Sequence, residues 1–129
     1  EEETETGVEA FSRRLKSSLN HYVVRRGDLK TVIAGYPWFL DWGRDALIFV
    51  RGLVAAGKMA DARDIAIQFA RFEKQGTLPN MIQAENAANR DTSDAPLWLF
   101  TACADLVQAE GSQHFMDSVC GGRSMRQFL

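Results

Sequence analysis

The sequence predicts an all-α chain of about five helices, and two observations carry that prediction. Apolar residues recur at three- and four-residue intervals through most of the 129 positions, the spacing of one helix face. Helices with one polar face also alternate with helices that are apolar nearly all round. A toroid of paired outer and inner helices needs that alternation, because its inner helices are buried between neighbours. Composition alone favours a simple four- or five-helix bundle.

The first seven residues, Glu1-Glu-Glu-Thr-Glu-Thr-Gly7, are acidic and lack apolar anchors, so residues 1–7 read as a frayed lead-in. Val8, Phe11, Leu15, Leu19 and Tyr22 follow at helical spacing, with Arg13, Arg14 and Lys16 on the opposite face. That predicts a helix over 8–24, closed by Arg25-Arg-Gly27 with glycine as its C-cap. Residues 28–40 form a long connection in which Thr31-Val-Ile-Ala34 makes at most a short extended piece. A second helix is expected over 43–56, apolar through Leu47, Ile48, Phe49, Val50, Leu53 and Val54. A third, over 59–74, turns Ala62, Ile65, Ala66, Phe69, Ala70 and Phe72 inward and Asp61, Arg63, Asp64, Gln68, Arg71 and Lys74 outward.

Leu78-Pro-Asn80 turns the chain, and 81–90 shows only weak periodicity. Asp91-Thr-Ser-Asp94 offers several N-caps ahead of Ala95-Pro96, and proline suits a first helical turn. A fourth helix, apolar nearly all round, runs to 110. A fifth is expected from 112, carrying Phe115, Met116, Val119, Met125, Phe128 and Leu129, although Gly121-Gly122 weakens its middle.

Charge and cysteine content narrow the function classes. A net charge of −2 gives no reason to expect nucleic acid or an anionic membrane as partner. No apolar run reaches the roughly 18 residues of a membrane span. Cys103 and Cys120 fit neither a metal spacing nor a disulfide framework, which suits a reducing cytoplasm. His21 and His114 have no metal-ligand neighbours, and Gly121-Gly122 lacks the context of a phosphate loop. Neither metal nor cofactor is expected.

The chemistry gathers in Ala34-Gly-Tyr-Pro-Trp-Phe-Leu-Asp-Trp-Gly-Arg-Asp45. Tyr36, Trp38, Phe39 and Trp42 surround Asp41, Arg44 and Asp45 where a loop enters a helix. Aromatic rings cover the apolar faces of sugars, and carboxylate–guanidinium sets hold vicinal hydroxyls by charge-assisted hydrogen bonds. Aromatic residues serve cores more often than sites, so the same residues also describe a buried aromatic corner with a structural Arg–Asp pair, or an aromatic loop by which a non-catalytic helical module docks a partner.

That block, followed by Gly52-Leu53, Gly57, Ala62, Phe69-Ala70, Leu78-Pro-Asn80 and Thr92-Ser-Asp-Ala-Pro-Leu-Trp98, resembles the glycogen debranching enzyme family. The similar part is the C-terminal amylo-α-1,6-glucosidase domain, over roughly residues 22–115. The resemblance implies an (α/α)6 barrel, of which 1–129 would be one partial unit of about five helices. It implies an α-glucan substrate, glycogen or limit dextrin, and hydrolysis of α-1,6 linkages by the parent protein. Trp42-Gly-Arg-Asp45 also looks like the equivalent loop of the related glucoamylases. On that likeness Arg44 and Asp45 are the sugar clamp and Trp42 its platform, with Asp94 a further candidate for the same pocket. Trp38 and Asp41 complete the substrate-binding set.

The sequence departs from the family pattern at Arg90-Asp91, where members often carry Tyr-Asn, and residues 82–89 form a shorter loop. Glycoside hydrolysis uses two carboxyl groups. Asp41, Asp45, Glu85, Asp91 and Asp94 are available, but the family's acid and base lie on later loops, so no catalytic pair is assigned. The chain alone is expected to be inactive, and to self-associate through the apolar surface of its second and fourth helices.

Overall fold

The computed structural model describes residues 6–84, 86–91 and 93–128. Most of the frayed lead-in expected at 1–7, the carboxylate of Glu85, the capping role of Thr92 and the apolar end at Leu129 lie outside the described residues.

The chain is not all-α, and the partial (α/α)6 barrel of about five helices is not what it forms. Among the described residues, four α-helices are combined with three two-stranded antiparallel sheets. The helices are α1 (Gly7–Ser18), α2 (Gly43–Ala55), α3 (Met59–Ala70) and α4 (Ala95–Glu110). The ladders pair β1 (Val23–Arg26) with β2 (Leu29–Val32), β3 (Asp41–Trp42) with β4 (Met81–Ile82), and β5 (Val119–Cys120) with β6 (Arg123–Ser124).

Each departure from the helical expectation has a local cause. α1 is capped by a reciprocal pair, the Glu9 amide donating to Thr6 Oγ1 and the Thr6 amide to the Glu9 carboxylate. It ends at Ser18, not at 24, and a 3₁₀ turn, Leu19–His21, leads into β1. Val23-Val24 are β-branched and favour the pleated surface. Gly27 sits at φ +60° and with Asp28 makes a two-residue hairpin loop, not a helix C-cap. The register is Val23 opposite Val32 and Arg26 opposite Leu29. The expected fifth helix fails in the same way. After a 3₁₀ turn at His114–Asp117, Gly121 (φ +57°) and Gly122 (φ +83°) turn β5 back into β6, and a last 3₁₀ turn, Met125–Gln127, follows.

The core lies where α2, α3 and α4 meet. Leu47, Val50, Leu53, Ile65, Phe69, Leu99, Ala102 and Leu106 are buried there, with Val32, Leu78, Ile82, Phe115 and Met125 closing its ends. α2 and α4 run side by side in the same direction, tied at their starts by Arg44–Asp94 and farther along by Arg51–Asp105 at 2.7 Å. α3 runs the other way, and its Arg63 reaches Glu110 at the far end of α4 at 2.6 Å.

α2 and α4 are not enveloped, and each keeps apolar side chains at the surface. Ile48 on α2 is 41% exposed, and Leu97 and Phe100 on α4 are 66% and 48% exposed. α1 buries none of its residues, and its apolar stripe of Val8, Phe11 and Leu15 faces outward. Among the described residues no helix is long and apolar enough to cross a membrane.

Candidate functional site

Three segments converge on the first turn of α2. The first is the aromatic loop 34–40, closed by the Ala34 amide on Leu40 O at 3.2 Å and the Trp38 amide on Gly35 O at 3.1 Å. Gly35 lies at φ +55°, and a Cβ there would stand 2.8 Å from Phe39 Cδ2. Glycine therefore lets the Phe39 ring fold back over the turn. Trp38 points into solvent, 83% exposed.

The second segment is β3, which pairs Asp41 with Ile82 and Trp42 with Met81. The third is the approach to α4, where Asp94 occupies the N-cap position and its carbonyl accepts the Trp98 amide. The Asp94 side chain does not cap its own helix. It grips Arg44 instead, with Arg44 Nε 2.6 Å from Oδ2 and Nη2 3.4 Å from Oδ1. Two residues fifty positions apart thus form a two-point pair across the starts of parallel helices.

Asp45 is exposed in the same first turn of α2, where the helix dipole favours a negative charge. Arg44 and Asp45 edge a cleft of about 370 Å³, lined mainly by apolar groups from Tyr22, Val32, Ala34, Ile48 and Phe49. The Tyr22 and Phe49 rings lie 5.8 Å apart at 56°, a tilted aromatic pair. Trp38, Trp42 and Asp94 do not line this cleft. Trp42 is half-buried at the N-cap of α2.

Asp41 sits differently from the other candidates. It is 1% exposed, and its Oδ2 lies 3.0 Å from Arg26 Nη1 and accepts the Thr31 hydroxyl at 3.1 Å. Loss of water raises its pKa above the ordinary carboxylate value, and the Arg26 charge offsets part of that rise. Arg26 also donates to Ala84 O. Asp41 therefore joins the β1–β2 hairpin to the β3–β4 ladder, and its carboxylate is turned away from solvent.

Arg90, where the chain departs from the family pattern, has a structural job. It donates to Thr77 O at 3.0 Å, Thr77 Oγ1 at 3.1 Å and Phe72 O at 2.6 Å. It thereby pins the segment after α3 beneath the loop that leads to Asp94. Asp91 is exposed, and its backbone amide donates to Asn89 Oδ1.

Sequence reasoning missed Tyr22, Ile48 and Phe49 as cleft residues and Arg26 as the countercharge of Asp41. Tyr22 and Phe49 have the spacing of helix-face residues, and nothing in the spacing of Arg26 and Asp41 announces a pair.

The model of the amylo-alpha-1,6-glucosidase family matches residues 16–127. The glycogen debranching enzyme of Saccharomyces cerevisiae is 28% identical over 108 residues, covering 79% of this chain. The chain spans 7% of that relative's length. No solved structure matches. Both similarities run through the α2 and α4 starts described above, and the chain belongs to the amylo-alpha-1,6-glucosidase family.

Proposed function

We propose that this chain is a single domain-forming segment of a glycogen-debranching α-1,6-glucosidase and supplies a glucan-binding corner to it. The observation that supports the reading best is the two-point Arg44–Asp94 pair beside Asp45 at the starts of α2 and α4. The set offers guanidinium donors and carboxylate acceptors to neighbouring hydroxyls, and Tyr22 and Phe49 provide an apolar wall beside them. Trp42 braces the turn and Trp38 is free to cover a sugar face. Asp41, with its carboxylate already held, positions β3 and Trp42. The substrate class follows from the family and is an α-glucan. A cytoplasmic setting goes with it, and both cysteines are buried free thiols.

The test is a residue-resolved NMR titration of the chain with isomaltose. Saturable shifts are expected at the amides of Arg44, Asp45 and Asp94. Asp45→Asn or Arg44→Ala should weaken that binding by about tenfold or more, since a lost charged hydrogen bond is worth about 1.5–3 kcal/mol. The helical CD signal should stay within error of wild type. Unchanged affinity in both variants would remove these residues from the binding site.

We also propose that the chain self-associates. Val8, Phe11 and Leu15 on α1, and Leu97 and Phe100 on α4, present apolar side chains to water. Soluble monomers rarely expose contiguous apolar patches larger than a few hundred Å². Sedimentation equilibrium should give a mass rising above 14.4 kDa with concentration, and Phe11→Ser should lower the association constant. A single monomeric species across the whole range would refute it.

A further inference from the structure

Two outward helix faces of this chain share one period. On α1, Val8, Phe11 and Leu15 follow at intervals of three and four residues, and all three are exposed. On α4, Leu97, Phe100, Ala104 and Val107 follow at three, four and three. Such spacing makes a seam along which one helix sets its side chains into the holes of another. At about 1.5 Å per residue the α4 seam is roughly 15 Å long and the α1 stripe roughly 10 Å, so the first has room for the second. α1 buries none of its residues within its own chain.

Ala104 turns the α4 seam into a socket. It is the small residue between Phe100 and Val107, and at it opens a pocket of about 310 Å³ that Cys103, Met116 and Arg126 help to line. The polar rim is already satisfied, since Arg126 donates to Gln113 Oε1 at 3.1 Å and lies 3.2 Å from Asp117 Oδ1. Burial pushes the Cys103 thiol up to about 12, so the floor carries no charge. An apolar side chain suits such a hollow better than a polar group, which would lose its water there. Phe11 is the middle residue of the α1 stripe and the one aromatic of that helix, 63% exposed. Aromatic side chains seated in pockets are where interfaces concentrate their energy.

Area selects the occupant. The exposed parts of Val8, Phe11, Leu15, Leu97 and Phe100 amount to roughly 600 Å² for one arm in one socket, short of the roughly 1,000 Å² that a specific interface needs. A second copy contributes its own arm and its own socket, and the two-fold pair doubles the area to roughly 1,200 Å². Charge does not oppose the contact. α1 carries Arg13, Arg14 and Lys16 against Glu9. The carboxylates on α4, Asp105 and Glu110, each face a single arginine of their own chain, so α4 adds no positive charge to repel α1. An anionic membrane is the other surface that an amphipathic helix seeks, but Glu1, Glu2, Glu3 and Glu5 stand just before α1 and disfavour it.

We infer that α1 of one copy docks along α4 of a second copy, with Phe11 seated in the socket at Ala104, and that the exchange is reciprocal. The inference rests on the self-association already proposed and names the surfaces that meet.

Sedimentation velocity of two variants, alone and mixed, tests it. Phe11→Ser removes the knob and leaves the socket, and Ala104→Arg blocks the socket and leaves the knob. Each alone should lower the association constant by about tenfold or more. Helical CD and melting midpoint should match wild type, because both positions are exposed. An equimolar mixture should associate more tightly than either variant, since the intact arm of one meets the intact socket of the other. General apolar stickiness gives no such complementation. If Ala104→Arg does not fold, Phe100→Ser, at the wall of the socket, takes its place with the same expected loss. A monomeric wild type would overturn the self-association and this inference with it. A wild type that associates, with a socket variant equally associated or a mixture no tighter than its components, would overturn this inference alone. Wild type that binds phosphatidylserine vesicles and stays monomeric without them would also overturn it.

Discussion

Gly43→Ala is expected to lower the melting midpoint by roughly 10 °C, while Gly52→Ala, nine residues along the same helix, raises it. A Cβ at position 43 would stand 2.8 Å from Pro79 O, with Ala95 Cβ and Phe69 Cε1 each at 3.6 Å. The close neighbour is backbone, and it is fixed there because the Gly43 amide donates to Asn80 O at 2.8 Å. The methyl group must therefore push β4 away from α2, or α2 away from α4. Overpacking of that kind costs about 1–3 kcal/mol, and here it also stretches a buried backbone hydrogen bond. At Gly52 nothing lies within 4 Å of the added carbon. Alanine there restricts the unfolded chain and improves helix propensity, a gain of about 0.4–1 kcal/mol. Differential scanning calorimetry of the two variants checks both signs. A Gly43→Ala protein as stable as wild type would mean that the approach of Pro79 to α2 is not tight. The glycine of Trp42-Gly-Arg-Asp45 is thus demanded by packing, and the same contact sets the distance between the α2 and α4 starts that brings Arg44 to Asp94.

The three core helices were legible because their signals are long. The periodicity placed helices at 43–56, 59–74 and 95–110, and the structure has Gly43–Ala55, Met59–Ala70 and Ala95–Glu110. Strands of two to four residues leave no comparable trace. Gly27 after Arg25-Arg26 reads equally as a helix C-cap or a hairpin turn, and only the Val23-Val24 pair before it tips the balance. Gly121-Gly122 read as weak points of a helix, although two consecutive positive φ values are what a two-residue hairpin loop requires. The β3–β4 ladder joins segments forty residues apart through two residue pairs, so no local window holds it. These hairpins are what removed the chain from the all-α class. At the candidate site, residue types suggest Arg44 and Asp45 and the family resemblance adds Asp94, but sequence gives no measure of burial. Asp41 and Asp45 look alike in Leu40-Asp-Trp-Gly-Arg-Asp45, yet one is sealed against Arg26 and the other faces solvent.

That burial makes Arg26→Ala the second large effect, a loss of about 2–3 kcal/mol at neutral pH. The loss falls below the 3–5 kcal/mol of a fully buried pair because Arg26 is itself 22% exposed. Without Arg26 the Asp41 carboxylate keeps only the Thr31 hydroxyl at 3.1 Å and its own backbone contacts. Asp41→Asn should cost less, about 1 kcal/mol, since Arg26 can still reach water and Ala84 O. The double variant Arg26→Ala/Asp41→Asn should be more stable than Arg26→Ala alone, because no charge is then stranded. Acidity supplies a further sign. Desolvation already holds the folded-state pKa of Asp41 above its ordinary 3.8, and removing the Arg26 charge pushes it higher still. The folded protein then binds this proton more tightly than the unfolded chain, so the contribution of Asp41 to stability rises as pH falls through that raised pKa toward 3.8. The deficit of Arg26→Ala relative to wild type should therefore shrink on acidification from pH 7. In the Asp41→Asn background, adding Arg26→Ala should cost about the same at every pH. Urea unfolding of the four proteins at pH 7 and at pH near 4.5 reads the comparison directly. A deficit that stays constant or grows toward acid would show that Arg26 stabilises the fold through Ala84 and its own packing, and not by balancing the buried carboxylate beneath Trp42.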